Sequence, residues 1–316
     1  MSTTLVVIMD PIETIKAHKD STFAMLLEAQ QRGWDIHYAE QCHLYARDGR
    51  TYAELAPLRV TDTPTGWFNL GATCTTALDQ CDVILMRKDP PFDMEYIYTS
   101  YLLDQPAGSG ALVVNHPQAL RNANEKLAAT LFPQVCAPVL VAREARELNR
   151  FIAEQGDVIL KPLDGMGGAS IFRVREHDPN RNVIIETLTA HARRFIMAQR
   201  FIPEITQGDK RILVVDGEPI PYALARIPAA GETRGNLAAG ASAKGVALSD
   251  RDRLIVKTVA PYLRDQGILF AGLDVIGDYL TEINVTSPTC IRELDRIYNL
   301  NIAATLMDCI EQKLAV

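Results

Sequence analysis

Short apolar runs alternate with longer amphipathic stretches along the first third of the chain, and this alternation predicts its architecture. A helix is predicted to end near Gly33, and a second helix is predicted from about Met94 to Asp104. A recurring order of strand, loop, helix and strand indicates a small α/β domain with a parallel sheet. The apolar runs that predict its strands are residues 5–9, 35–40, 82–87 and 111–115.

Several polar residues follow these strands in loops. Ligands of parallel α/β sheets bind beyond the carboxyl ends of the strands, so Lys19 and Arg87 are candidates for contact with a ligand. A solvated loop residue or a helix cap is at least as good an interpretation of each of them. Residues 40–78 predict a meander of short strands and turns, and we assign no chemistry to that segment.

A glycine-rich motif lies in the middle of the chain, at residues 158–174 (VILKPLDGMGGASIFRV). Both flanks are typical of strands, whereas a Walker A loop or a dinucleotide fingerprint leads into a helix. The motif therefore predicts a hairpin whose glycines let backbone N–H groups close over phosphate oxygens. Lys161 lies in an apolar run, where a phosphate is a natural partner for its ammonium group. The alternative is that the glycines only form a turn.

An acidic motif near the C-terminus predicts a metal site. Asp274 lies on one apolar run and Glu282 and Asn284 lie on the next, and the Gly277-Asp278 turn can fold the two runs into a hairpin. Glu282 and Asn284 share one face of their strand because side chains alternate. Hard oxygen ligands of this kind suit Mg²⁺ or Mn²⁺. The alternative is a solvated hairpin edge with ordinary polar residues.

Two hairpin strands are predicted between these motifs, around an Asp216-Gly217 turn, and a long glycine-containing loop follows at residues 229–245. Loops of this length in compact domains are usually either functional lids or disordered segments. Arg234 and Asn236 in this loop offer hydrogen-bond donors to a bound anion.

The composition restricts the possible classes of function. The 316 residues are 47% hydrophobic and 22% charged, which is ordinary globular composition with room for two domains. The formal net charge of −7 and the lack of a basic block argue against nucleic acid as a partner. No apolar run approaches the roughly 18 residues that span a membrane. The chain start lacks the features of a signal peptide, and six cysteines without a CxxC pair indicate reduced thiols. We therefore expect a cytoplasmic protein.

Taken together, these segments resemble the bacterial glutathione synthetases of the ATP-grasp superfamily over essentially the whole chain. The glycine hairpin and the acidic motif alone indicate the superfamily, whereas MRKDPPFD at residues 86–93 and NVTSPTCIRE at residues 284–293 point to the particular family. Other matching segments are residues 9–12, 19–33, 124–127, 208–219, 224–228 and 231–240.

The resemblance implies an α/β fold with two domains. Residues 1–122 are expected to form an N-terminal, substrate-binding pre-ATP-grasp domain with a parallel sheet. Residues 123–316 are expected to form the ATP-grasp domain, with a central lobe at about 123–200 and a C-terminal lobe at about 201–316. The family also implies a homo-oligomer, expected to be a homotetramer.

The resemblance also implies the roles of individual residues. Metal ligands are expected at Asp274, Glu282 and Asn284, which would hold two Mg²⁺ ions, with Mn²⁺ as an alternative. Catalytic roles are expected for Arg211, Arg226, Arg234 and Asn236. ATP contacts are expected from Lys126, Lys161, Gly165, Met166, Gly167, Gly168, Gln199, Ile202, Asp209 and Lys210. The peptide substrate is expected to contact Lys19, Arg87, Ser287, Thr289 and Arg292.

The implied reaction is the ATP-dependent ligation of glycine to γ-glutamylcysteine through an acyl phosphate. Another carboxylate–amine ligase of the superfamily, of the D-alanine or glutamate-adding type, is the nearest alternative. A non-catalytic ATP-binding scaffold is a more distant one. The chain departs from the family pattern after Gly240, where it reads ASAKGV instead of a second glycine with arginines. The stiffness of the predicted lid and one of its contacts with substrate are therefore open.

Overall fold

The computed structural model describes residues 2–165, 168–229, 235, 240 and 242–315. The N-terminal region forms an eight-stranded sheet with the order β3-β4-β2-β1-β7-β8, while β5 and β6 pair with β4. Four strands, β2, β1, β7 and β8, are parallel, as the alternation of strands and helices predicts. The strands are β1 (Thr4–Ile8), β2 (Asp35–Ala39), β3 (Leu44–Arg47), β4 (Arg50–Val60), β5 (Phe68–Leu70), β6 (Cys74–Ala77), β7 (Val83–Met86) and β8 (Leu112–Val114).

The parallel strands are apolar because helices and the C-terminal region cover both faces of the sheet. The side chains of Leu5 to Ile8 are fully buried. The adjoining helices are α1 (Ser21–Gln31), α2 (Met94–Leu102), α3 (Asp104–Gly108) and α4 (Pro117–Asn122). Asp20 caps α1 by accepting a 2.7 Å hydrogen bond from the backbone N–H of Phe23. The prediction of a single helix from about Met94 to Asp104 is wrong at the C-terminal end of that helix. There, α2 ends at Leu102 and a separate helix, α3, begins at Asp104.

The central lobe is a four-stranded antiparallel sheet with the order β11-β10-β12-β9 and a small core of its own. Helix α6 contributes Leu148, Phe151 and Ile152 to this core. The glycine-rich motif joins β10 to β11, which pair as the predicted hairpin. The elements are α5 (Glu125–Ala129), β9 (Val139–Ala142), α6 (Ala145–Gln155), β10 (Asp157–Pro162), β11 (Phe172–Arg175), α7 (Arg181–Thr189) and β12 (Ile196–Arg200).

The C-terminal region is a five-stranded antiparallel sheet with the order β15-β14-β13-β16-β17. The loop predicted to run to Gly245 ends earlier, because residues from Ser242 pair with β14. The elements are β13 (Asp209–Val215), β14 (Glu218–Ile227), β15 (Ser242–Ala247), α8 (Asp250–Asp265), β16 (Phe270–Ile276), β17 (Tyr279–Asn284), α9 (Ile291–Tyr298) and α10 (Ile302–Leu314).

The N-terminal sheet and the C-terminal sheet share buried side chains, so they pack as one body. Ile84 of β7 and Leu273 of β16, for example, lie in the same apolar cluster. Buried Asn115 adds polar contacts across the junction: its Nδ2 donates to the carbonyl oxygens of Phe270 and Val285, each at 2.7 Å. Its Oδ1 accepts from the N–H of Phe270 at 2.8 Å, which satisfies these buried groups. This packing holds the loops of the first domain against the acidic strands.

The predicted α/β fold class is confirmed, with a mostly parallel N-terminal sheet and two antiparallel sheets in the rest of the chain. Within the described ranges, no helix combines the length and the apolar character needed to cross a bilayer.

Candidate active site

A cavity of about 740 Å³ lies where the three sheets meet. Its walls come from the loops after β1 and β7, from the central lobe, and from strands β13, β14, β16 and β17. Because the parallel strands end at this wall, the cavity occupies the position expected for a ligand site of an α/β sheet.

The pairing of β16 with β17 brings the predicted metal ligands together. Asp274 lies directly opposite Glu282, and Gly272 lies opposite Asn284. All three polar side chains line the cavity, whereas Ile283 is fully buried on the other face. The Nδ2 of Asn284 donates to the carbonyl oxygen of Gly272 at 3.2 Å. The predicted hairpin is therefore confirmed.

Two arginines hold Asp274 from the neighbouring strands. Arg211 lies opposite Asp274 across β13 and β16, and its Nε and Nη2 donate to Oδ1 and Oδ2 at 2.5 and 3.0 Å. Arg226 reaches Oδ2 of Asp274 at 2.9 Å and Oδ2 of Asp209 at 2.5 Å. Both guanidinium groups are buried, and the bidentate contact fixes the plane of Arg211.

The two carboxylates of this network differ in their pKa. Burial favours the neutral form of Asp274, but Arg211 and Arg226 outweigh burial and hold its pKa well below the ordinary range. For Asp209, burial and the negative charges of Asp274 and Glu282 outweigh Arg226 and raise the pKa to about 6. The Oδ1 of Asp209 is buried and has no hydrogen-bond partner within the described part of the chain. Asp274 is therefore ionised at neutral pH, whereas Asp209 titrates at a pH of about 6.

Two buried lysines face Glu282 from the central lobe. Lys161 Nζ is 3.4 Å and Lys126 Nζ is 3.7 Å from Oε1 of Glu282. Lys126 also pairs with Glu125 and donates to the carbonyl oxygen of Gly165 at 2.8 Å, which ties α5 to the glycine-rich hairpin. Burial favours the neutral form of Glu282, but the two lysines outweigh burial and lower its pKa.

One end of the cavity is apolar. Ile159, Ile202, Ile205 and Ile276 line it, together with the buried amide of Gln199. This apolar part of the wall, the apolar slot, carries one amide, and the combination suits a heterocyclic base. Lys161 connects this slot with the acidic strands. Its strand, β10, pairs with β12, which carries Gln199, and its Nζ lies 3.4 Å from Oε1 of Glu282.

The geometry suits a nucleotide beside a pair of carboxylates, and comparison with protein families shows to which family the chain belongs. One matching model describes the N-terminal domain of prokaryotic glutathione synthetase and covers residues 3–121. A second describes the ATP-grasp domain of prokaryotic glutathione synthetase and covers residues 125–299. The chain belongs to the prokaryotic glutathione synthetase family. It is therefore an ATP-dependent ligase of the ATP-grasp type, as the resemblance predicts.

Individual relatives agree with this family. The glutathione synthetase of Pseudomonas syringae pv. tomato is 62% identical over 314 residues, which cover 99% of this chain and 98% of that protein. The glutathione synthetase of Pseudomonas aeruginosa is 58% identical over 315 residues, which cover 100% of this chain and 99% of that protein.

Solved structures of more distant ligases share the fold. The D-cycloserine synthetase DcsG superposes with a TM-score of 0.67 at 12% identity and covers 97% of this chain and 99% of its own. The ATP-grasp ligase PsnB, complexed with a minimal precursor, gives 0.65 at 16% identity over 99% of each chain. D-alanyl-alanine synthetase A from Vibrio cholerae superposes with a TM-score of 0.60 at 12% identity and covers 100% of this chain and 99% of its own. At these identities, each of the three likenesses extends to the fold alone.

Most residues that the glutathione synthetase resemblance singles out converge on the cavity. Met166, Gly167, Arg234 and Asn236 lie outside the described residues. Those that line the cavity are Lys19, Lys126, Lys161, Gly165, Gly168, Gln199, Ile202, Asp209, Arg211, Arg226, Asp274, Glu282, Asn284, Ser287 and Thr289.

Three predicted site residues make other contacts instead and are absent from the cavity wall. Buried Arg87 donates from Nε to Thr22 Oγ1 at 3.0 Å and from Nη2 to the carbonyl oxygen of Pro288 at 2.8 Å. Arg292 donates from Nη2 to both carboxylate oxygens of Asp62, at 2.9 and 2.8 Å. Lys210 pairs with a buried acidic side chain at the start of α8 (Asp252). Each is held by contacts between elements that the sequence alone does not reveal.

The acidic residues of the cavity that were not among the predicted site residues include Glu125 and Glu293. Each is the immediate neighbour of a basic residue that the family resemblance did single out, Lys126 and Arg292. Neither lies in a spacing that indicates metal binding or acid–base chemistry, so only the fold reveals where their carboxylates lie.

Proposed function

We propose that this ligase joins glycine to γ-glutamylcysteine at the expense of ATP and releases glutathione, ADP and phosphate through an acyl phosphate. The observation that carries the proposal is the convergence of Lys126, Lys161, Arg211 and Arg226 with the acidic hairpin in one cavity that also reaches the N-terminal domain. A cavity of about 740 Å³ is large enough for a nucleotide and a peptide together.

The chemistry requires activation of a carboxylate. A free carboxylate is a poor electrophile because its leaving group would be oxide. Transfer of the γ-phosphoryl group of ATP to the cysteinyl carboxylate gives an acyl phosphate, whose leaving group is phosphate. The glycine amine then attacks the carbonyl carbon, the C–O bond to phosphate breaks, and the amine loses a proton.

The nucleotide is assigned to the central lobe. The base occupies the apolar slot beside Gln199 and Ile202, and the phosphates extend towards Lys126 and Lys161. The two ammonium groups are buried and lie within 4 Å of Glu282, so they are already directed at the acidic strands. Backbone N–H groups of the glycine hairpin, including Gly165 and Gly168, are expected to cover the phosphates.

The donor set fits a hard divalent cation. Asp274, Glu282 and Asn284 offer carboxylate and amide oxygens on one face of the hairpin, and two Mg²⁺ ions, or Mn²⁺, are expected there. No cluster of three His, Cys, Asp or Glu side chains occurs in the described ranges, and this set differs because its third member is an amide. When bound, the ions supply neutralisation of the phosphate charge.

Arg211 and Arg226 are assigned to the transferring phosphoryl group and to the oxyanion of the tetrahedral intermediate. Both are buried, and the surrounding carboxylates fix their orientation before substrate arrives. Burial alone favours the neutral form of Arg226, but the negative charges of Asp209 and Asp274 outweigh burial and raise its pKa. The guanidinium group is therefore always charged. Preorganised donors of this kind stabilise charge that develops in the transition state.

Glu282 is expected to exchange partners when nucleotide and cation bind. It lies 3.4 Å from Lys161 and 3.7 Å from Lys126, and these lysines are the assigned phosphate contacts. The lysines then pair with the phosphates and Glu282 binds the cation. Every charge in the buried cluster therefore keeps a partner of opposite charge. Binding of ATP and binding of the cation are therefore expected to be coupled.

The predicted lid remains part of the proposal, over residues 231–241, since strand β15 begins at Ser242. Its closure is expected to exclude water from the acyl phosphate, with Arg234 and Asn236 as donors. We also expect a homotetramer in the cytoplasm, on family resemblance, and light scattering tests the tetramer.

The test of the proposed function is incubation with ATP, Mg²⁺, γ-glutamylcysteine and glycine, with mass-spectrometric detection of the tripeptide. Equal formation of glutathione and phosphate is the expected result. A second incubation supplies D-alanine or glutamate in place of glycine, and formation of D-alanyl-D-alanine or a glutamate-extended product there, with no ligation of glycine in the first, would contradict the proposal. Phosphate release at the same rate with and without glycine would also contradict the proposed function.

A further inference from the structure

The wall of the cavity at the start of α9 carries an acidic side chain with an unused oxygen. Glu293 lies in the first turn of α9 and lines the cavity. Its Oε2 is buried and has no hydrogen-bond partner within the described part of the chain. A buried carboxylate oxygen without a partner is costly, and the cost is removed when a ligand brings a donor.

The N-terminal domain fixes this wall. The backbone N–H of Ile291, at the start of α9, donates to Ser21 Oγ of α1 at 3.1 Å, and both residues are buried. The loop before α1 brings two exposed lysines, Lys16 and Lys19, to the same cavity. This region therefore combines positive side chains with one carboxylate that has unused acceptor capacity.

Other carboxylates of the N-terminal wall have partners or are open to solvent. Asp10 pairs with Lys88 at 2.7 Å and accepts from the N–H of Asp89 at 2.9 Å. Asp20 accepts from the backbone at the start of α1. Asp89 is exposed. Among the described residues of this wall, Glu293 is thus the acidic residue with a buried oxygen that has no partner.

The buried Oδ1 of Asp209 is also unpartnered, but it belongs to a different part of the cavity. Asp209 pairs with Arg226, which is assigned to the phosphoryl group, and Gly235 of the predicted lid lies against it. Glu293 belongs to α9, whereas Asp209 is the first residue of β13, so the two carboxylates lie on different elements of the cavity wall. The two acidic groups are therefore expected to meet different parts of the substrates.

We propose that Glu293 binds the α-ammonium group of the γ-glutamyl moiety and so selects peptides that carry it. The inference rests on the proposed function. The cysteinyl carboxylate must lie beside the phosphates, so the γ-glutamyl end extends away from them, towards the N-terminal wall. The ammonium there is the permanent cation of the peptide substrate, and Lys16 and Lys19 suit its α-carboxylate. Glu293 is a binding residue and takes no part in bond making.

The test compares γ-glutamylcysteine with N-glutarylcysteine, which has the same chain but lacks the ammonium group. In Glu293→Gln, we expect the KM for γ-glutamylcysteine to rise about tenfold, since the charge is lost and an acceptor remains. The KM for N-glutarylcysteine and for ATP is expected to change less than about twofold. Wild type is expected to prefer the natural peptide in kcat/KM, and the variant is expected to lose most of this preference.

Asp89→Asn is the matched control, because Asp89 is an exposed acidic residue of the same cavity. Its preference for γ-glutamylcysteine is expected to stay at the wild-type level. Loss of preference in Asp89→Asn and not in Glu293→Gln would overturn the assignment. Equal effects of Glu293→Gln on both peptides would also overturn it, since a purely structural role does not distinguish them.

The ratio of kcat/KM for the two peptides does not depend on the fraction of active enzyme, so partial misfolding of a variant does not disturb it. Glu293→Asp, which keeps the charge, is expected to retain more of the preference than Glu293→Gln. Failure of wild type to ligate γ-glutamylcysteine would contradict the proposed function. Normal ligation with an unchanged preference in Glu293→Gln would contradict the role of Glu293 alone.

Discussion

The side chain of Arg211 lies against the backbone of Gly272 on the neighbouring strand. A Cβ atom at Gly272 would lie 2.8 Å from Cδ of Arg211 and 3.2 Å from its Nε, closer than side chains normally approach. The Cβ atom of Pro288 would lie 3.2 Å from the same position, so a second residue also crowds it. Glycine at this position therefore allows Arg211 to lie flat against β16 and reach Asp274.

We predict that Gly272→Ala displaces Arg211 and lowers kcat by about tenfold to a hundredfold, because small displacements of catalytic groups have large effects on rate. Steady-state kinetics with saturating substrates measure the effect. Gly108→Ala is the control, since a Cβ there meets no atom within 4 Å and the residue ends a helix. A Gly272→Ala enzyme with wild-type kcat would show that the position of Arg211 is unimportant.

We predict that Glu282→Gln changes ATP binding in opposite directions with and without Mg²⁺. Without the cation, the variant is expected to bind ATP about tenfold more tightly than wild type, because the carboxylate no longer competes for Lys126 and Lys161 or repels phosphate. With Mg²⁺, it is expected to bind ATP more weakly and turn over about 10²–10³ times more slowly.

Calorimetric titration with ATP, in EDTA and in Mg²⁺, measures both effects of Glu282→Gln. Glu95→Gln, on the surface of α2, serves as the control. Weaker ATP binding by Glu282→Gln in both conditions would refute the exchange of partners. Unchanged turnover in Mg²⁺ would refute the metal assignment.

We predict that Arg87→Lys destabilises the protein and loosens the segment that carries Ser287 and Thr289. The buried guanidinium joins Thr22 to the carbonyl oxygen of Pro288 and stacks 5.7 Å from the ring centroid of Phe270. A lysine ammonium cannot make both of these hydrogen bonds in the same geometry. Their loss is expected to lower the free energy of unfolding by about 2–3 kcal/mol.

The KM for γ-glutamylcysteine is expected to rise in Arg87→Lys while the KM for ATP stays near normal. Urea unfolding and steady-state kinetics measure the two effects. Arg47→Lys is the control, since that side chain is 77% exposed. A stable Arg87→Lys protein with only a higher KM for the peptide would instead favour direct contact between Arg87 and substrate.

We predict an ionisation near pH 6 in the profile of kcat/KM for ATP, caused by Asp209. Its pKa is raised to about 6, chiefly by burial, so the carboxyl group is neutral below that pH and charged above it. The charged form holds Arg226, and kcat/KM is therefore expected to rise with pH through about 6.

Asp209→Asn is expected to remove this ionisation and to leave a flatter, lower profile between about pH 5 and 7. Asp265→Asn, at an exposed position on α8, is expected to keep the wild-type shape. The same inflection near pH 6 in Asp209→Asn would show that another group is responsible.

The local features of the site could be predicted because they depend on neighbours in sequence. The alternation of Asp274, Glu282 and Asn284 around a Gly-Asp turn predicts which side chains share a face. The helix at residues 94–104 shows the limit of this reasoning, since its break at Leu103 lies where α3 packs against β4 and β8. The prediction also overlooked Pro106, which cannot continue α2 because it lacks an N–H but is tolerated in the first turn of α3.

The sequence by itself determined the alternating strands and helices, the three hairpins, the family and fifteen of the residues that line the cavity. Only the tertiary structure decided that Lys161 meets Glu282 across 121 residues of chain and that Arg87 binds Pro288 across 201. Only the fold buried one oxygen of Glu293 against the cavity. Periodicity follows from the backbone geometry of each segment, whereas the partner of a charged side chain depends on how separate sheets pack, which no local pattern records.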